Sequence, residues 1–141
     1  MFLSLLAESG IVLAYAGVGS VLMLIGYFVV DLVTPGKLHE LLWQERSKNA
    51  AILVGSSLLA VAIVVATAIR ASADDFVLGL LTTFVFGLLG IVLQALSFLA
   101  INLLTPGSHA QMVHEENIHP AAAVSAAAYI GISLIMASAI L

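Results

Sequence analysis

The chain has 141 residues, of which 62% are apolar and only 9% charged, with a formal net charge of −4. A water-soluble domain of this size needs far more polar surface, so a mean hydropathy of +1.21 marks an integral membrane protein. The absence of cysteine excludes disulfides and thiolate metal sites, and the sparse charge gives no nucleic-acid signal.

Residues 1–10 lack a Lys/Arg-rich start, and the apolar run continues well past a signal core. They read as a short extramembrane or interfacial lead carrying Glu8, not as a cleaved signal. Crossing about 30 Å of hydrocarbon takes roughly 20 helical residues. Four segments are long enough: residues 11–33, 50–69, 76–104 and 121–141. None shows the alternation of a membrane barrel strand. The first span ends at Pro35, which lacks a backbone donor and disfavours helix at the residue before it. Gly36 then allows a tight turn. Leu38, Leu41 and Leu42 recur at helical spacing, with Lys37, Glu40 and Glu45 off the stripe and Trp43 suited to the headgroup level. This segment is expected to be a short interfacial helix. The second span follows, and the short connection over residues 70–75 makes the third its antiparallel neighbour. The third span is overlong, so it tilts, extends beyond the bilayer, or breaks near Gln94 and Ser97. It ends at Pro106, Gly107 and a second polar segment, where Met112 and Val113 replace Leu41 and Leu42.

These loops are copies of each other. An offset of 71 residues superimposes Thr34-Pro35-Gly36 on Thr105-Pro106-Gly107, Glu45 on Glu116, and Ala50-Ala51 on Ala121-Ala122. Residues 1–70 and 71–141 are therefore read as two two-helix repeats forming one membrane domain, an all-α polytopic protein. Each copy crosses twice, so the repeats are parallel and both TPG loops share one side. Lys37, Arg46 and Lys48 lie in the first loop, against Arg70 beside Asp74 and Asp75 on the opposite face. The positive-inside rule then places the TPG loops in the cytoplasm and both termini outside.

The doubled D/N-x-x-T-P-G, the Glu about ten residues later and the Ala-Ala opening of the next helix resemble the domain of unknown function 350 family. The resemblance runs from about Gly26 to Ile140 and is most specific over Asp31, Thr34-Pro35-Gly36, Glu45 and Asn49-Ala50. It implies a four-helix protein of the bacterial inner membrane, with no established activity and no catalytic residues to transfer. The second copy departs from the pattern, with Asn102 for Asp31 and Pro120 for Asn49.

Several residues are candidates for chemistry. Asp31, an ionisable group near the end of a span, is either a cation or proton site or a headgroup-level residue paired with Lys37 or Arg46. As a site it would have Asn102 as its pseudo-symmetric partner and Thr34 and Thr105 as oxygen ligands. Glu45 and Glu116 either face each other across a pseudo-twofold axis or are solvated and locally paired. His39, His109, His114 and His119 match no metal-ligand template: His114-Glu115 would need a second histidine where Ile118 stands. Gln94 is expected to form an interhelical hydrogen bond. Small residues at four-residue steps, Ala123/Ala127/Gly131 on the last span and Gly79/Thr83/Gly87 on the third, allow close helix packing. That packing is expected within the four-helix unit, with leftover faces mediating self-association.

No phosphate loop, nucleophile elbow or redox motif occurs, so no enzyme activity, cofactor or metal is expected. The expected partners are the lipid bilayer, further copies of the chain and a cytoplasmic protein; no nucleic acid is expected. Two readings of function follow. One is an oligomeric scaffold presenting the TPG loops. The other is a small ion channel or transporter with its site near Asp31 and Asn102.

Overall fold

Each long apolar run becomes one uninterrupted helix. The computed structural model describes residues 1–33, 38–72, 75–104, 113–114 and 116–141, with backbone alone at 38, 102 and 104. The helices are α1 (Phe2–Val33), α2 (Leu38–Trp43), α3 (Lys48–Ala71), α4 (Phe76–Leu104) and α5 (Pro120–Ile140). No strand occurs among the described residues. All except α2 are long and apolar enough to cross a membrane. The overlong third span is unbroken at Gln94 and Ser97. Residues 1–10 are exposed throughout and continue α1 instead of forming a separate lead. At 32 residues, α1 is about 48 Å long, against about 30 Å of hydrocarbon.

Local signals set the helix ends. Ser47 caps α3, its Oγ accepting from Ala50 N at 3.1 Å. At the other end the Ser72 Oγ donates to Ile69 O at 2.6 Å. Asp75 Oδ1 accepts from Val77 N and Leu78 N at 3.0 and 3.2 Å, opening α4. His119 caps α5 through Nδ1, which accepts from Ala121 N, and Pro120 occupies the first helical turn. Beyond the end of the short α2, Arg46 stands at φ 51°, while Ser47 N donates to Leu41 O at 2.8 Å. That bond closes the chain around a left-handed residue and lets it leave the helix axis.

The central helix is α3, which contacts α1, α4 and α5; its contact with α5 is the most extensive. Helices α1 and α5 flank the α3–α4 pair. Close approach relies on glycine where α4 meets α1. A Cβ at Gly87 would come within 2.5 Å of Leu22 Cδ1, and Leu22 is fully buried. A Cβ at Gly79 would collide with the Tyr15 hydroxyl. Thr83, between them, is buried and returns its hydroxyl to Gly79 O.

On α5 the small-residue face expected to pack within the bundle turns away from it. Ala123 and Ala127 are exposed, and no atom lies within 4 Å of where a Gly131 Cβ would stand. The buried residues are Ala122, Ser125, Tyr129 and Ser133, a stripe on nearly the opposite side of the helix. Tyr129 explains this orientation. It shares one core cluster with Leu53, Ala60 and Ala122. Serine and alanine on α3 leave room for that large ring, so α5 need not present its smallest side chains.

Candidate functional site

Two polar features distinguish this otherwise apolar bundle. The first is a clasp that joins the segment before α3 to the segment before α5. Ser47, besides capping α3, donates from Oγ to Val113 O at 2.5 Å. Asn49 is fully buried in the first turn of α3. Its Nδ2 donates to Asn117 O at 3.0 Å, and its Oδ1 accepts from His119 N at 2.8 Å. One amide therefore satisfies two backbone groups of a segment 68 and 70 residues away. Val113 is itself fully buried, in the same core cluster as Leu41 and Ala50. Glu45 Oε2 and His114 Nδ1 add a contact at 2.9 Å, an ion pair when the imidazole is protonated, with both side chains about half exposed. Exposure limits its contribution to at most about 1 kcal/mol.

The second feature is a polar seam inside the bundle. Ser57 Oγ donates to Gln94 Oε1 at 2.8 Å, linking α3 to α4. The Nε2 of Gln94 is buried without a partner, as is the Ser125 Oγ on α5. Gln94, Ser57 and Tyr129 line a cavity of about 10 Å³. One buried water needs about 10–15 Å³. The space therefore suits at most a single water and gives no passage for a hydrated ion.

Asp31 sits half-buried near the end of α1, next to Val30 of the core cluster. Thr34 and Thr105 lie outside the described residues, as does the side chain of Asn102, so a shared site with Asp31 is not drawn together there. Glu45 pairs with His114, not with Glu116. Glu116 is exposed, and both carboxylates border one open depression together with Arg46 and Lys48. His39 is exposed, His109 is outside the described residues, and His119 serves as a helix cap. No group of three or more metal-ligating side chains occurs among the described residues.

Sequence reading missed the clasp. Its signal lay in the departure at this position, Asn49 against Pro120. The asparagine amide is used by the other half of the chain, and a proline in its place could not supply those bonds.

The model of the family described as Domain of Unknown Function 350 matches residues 3–140. The chain belongs to that family. Among its relatives is a UPF0719 transmembrane protein of Mycolicibacterium paratuberculosis, 36% identical over 126 residues, covering 89% of this chain and 83% of the relative. UPF0719 transmembrane proteins of Mycobacterium bovis and Mycobacterium tuberculosis are each 30% identical over the same shares. No solved structure matches the chain. The chain is thus a transmembrane protein of a family whose function is unknown.

Proposed function

We propose that the protein is a non-enzymatic membrane scaffold that assembles into a homo-oligomer and presents its loops as one platform to a cytoplasmic partner. In this reading it lies in the bacterial inner membrane, with the TPG loops inside and both termini outside. The observation that carries the reading is the clasp. Ser47 and Asn49 bind the segment before α5 through one buried and two part-buried hydrogen bonds, so the segments leading into α3 and α5 are held in one register. A fixed polar surface beside an exposed Trp43 is what a docking platform needs. The test is the mass of the complex extracted in native lipid, with co-purifying protein identified. A defined oligomer carrying a discrete partner supports the scaffold. A bare monomer opposes it.

The channel or transporter reading is kept for one reason, the unpartnered amide of Gln94 in the core. Ion flux into proteoliposomes across several cations and a pH gradient decides it, and flux no greater than that of empty liposomes removes it.

A further inference from the structure

The 71-residue correspondence allows each position in the first hairpin (α1, α3) to be compared with its counterpart in the second (α4, α5). On α3, Leu53, Ser56, Ala60 and Val64 are all buried. Their counterparts on α5 are Val124, Ala127, Gly131 and Ile135. Val124 is 59% and Ile135 70% exposed, Ala127 is exposed, and Gly131 is open. The reverse holds on the other side of these helices. Ala122 and Ser133 of α5 are fully buried, whereas their α3 counterparts Ala51 and Ala62 are exposed and half-exposed. A twofold axis would cover matching stripes on both helices. Here the hairpins meet front to back, through non-equivalent faces, and one face of each kind is left over.

The leftover faces correspond, position by position, to the faces that already meet within the chain. On the back of the second hairpin, Gly87 receives the Leu22 side chain and Gly90 receives Val64, with a Cβ at Gly90 standing 3.4 Å from that valine. The corresponding back of the first hairpin is an open groove of about 660 Å³ between α1 and α3, lined by Ala16, Gly19, Met23, Ala62 and Ala66 among others. Ala16 stands at the position of Gly87 and Gly19 at that of Gly90. The counterparts of the two inserting side chains are Leu93, 39% exposed, and Ile135, 70% exposed. The Ser57–Gln94 hydrogen bond maps to an apolar pair, Ala128 and Met23. The correspondence ends near the start of α1, where Glu8 stands at the position of Gly79; the matching contact therefore begins near Val12.

We propose that a second copy of this chain occupies the groove. The α4–α5 face of one copy packs head-to-tail on the α1–α3 face of the next, with Leu93 against Ala16 and Ile135 against Gly19 of the next copy. The contact repeats the one already made between the two hairpins of a single chain. Small residues in the groove let the helix backbones approach, which is how helices associate in lipid. A head-to-tail interface is heterologous, so the assembly grows to a closed ring or an open row and does not stop at a twofold dimer. The proposal deepens the oligomeric reading above by naming the surfaces and their polarity.

The chain has no cysteine, so introduced pairs report cleanly in native membranes under copper–phenanthroline oxidation. All four positions lie outside the buried core. The Ala16→Cys/Leu93→Cys and Gly19→Cys/Ile135→Cys double variants are expected to give a ladder of dimers, trimers and larger species. Each single variant is expected to stay monomeric on the denaturing gel. Co-expressed Ala16→Cys and Leu93→Cys chains are expected to give mixed dimers and no ladder. Dimers from Leu93→Cys or Ala16→Cys alone would overturn the head-to-tail mode, since like faces would then be meeting. A double variant that remains monomeric on the gel also overturns it. The mass in native lipid separates the two failures: an oligomer without these cross-links removes only the head-to-tail contact, whereas a monomer removes the oligomeric reading with it.

Discussion

Asn49 joins two distant parts of the chain with one side chain. Its replacement by alanine leaves Asn117 O and His119 N without this partner in a part-buried site. Each buried group left unpaired costs about 1–3 kcal/mol, so Asn49→Ala is expected to lower the thermal midpoint in detergent more than Glu45→Gln, whose contact with His114 is half exposed. An equal effect of the two substitutions would mean that the clasp is solvated. Ser125 offers the opposite case. Its hydroxyl is buried and unpartnered, so Ser125→Ala is expected to raise stability by about 1 kcal/mol, the cost of an unmet polar group. Loss of stability would show that the hydroxyl has an acceptor. Arg46 in the left-handed region carries a steric cost of about 1–2 kcal/mol that glycine avoids. Arg46→Gly is therefore expected to melt later than Arg46→Val, and the reverse order would oppose a left-handed backbone at this position.

Glycines on different helices serve different purposes. Gly87 lies against Leu22, and a side chain there must displace a fully buried leucine. Overpacking of this kind costs about 1–3 kcal/mol, so Gly87→Leu is expected to reduce the yield of folded monomer and lower its melting temperature. Gly131 has open space around its Cβ position, so Gly131→Leu is expected to leave the monomer folded with unchanged melting. In the assembly read above, the same substitution separates the helices and should lower the oligomeric fraction. Size-exclusion profiles and melting curves of the two variants distinguish these effects. If Gly131→Leu unfolds the monomer, the α5 face is already used within the chain.

For the whole molecule, sidedness is the property to test. If both loops share the cytoplasmic side, single cysteines at Gln44 and Asn117, both exposed, are expected to resist an impermeant thiol reagent in whole cells and to label in inverted vesicles. Labelling of one alone in whole cells would refute a parallel arrangement of the two halves. The transport reading makes its own demand. Asp31→Asn, which matches the Asn102 of the second half, should abolish any cation- or proton-driven flux into proteoliposomes while the protein stays folded. Flux that survives the substitution would remove Asp31 from any pathway.

Sequence alone was enough to establish a membrane protein with four crossing helices and to place most of their ends. Hydropathy is a local sum, and Pro35 and Pro106 act on the backbone beside them, so no tertiary context is needed to read them. The rotation of each helix about its own axis was a different matter. Helix α5 is apolar or small on every side, and lipid is as apolar as the core, so no polar face says which side turns inward. The choice fell to shape: Tyr129 went to the small residues of α3, and Ala123, Ala127 and Gly131 were left outside. The clasp was equally a tertiary outcome. The Asn49 amide and the backbone groups at 117 and 119 meet only because α3 and α5 pack side by side, and nothing local to Asn49 names its partners.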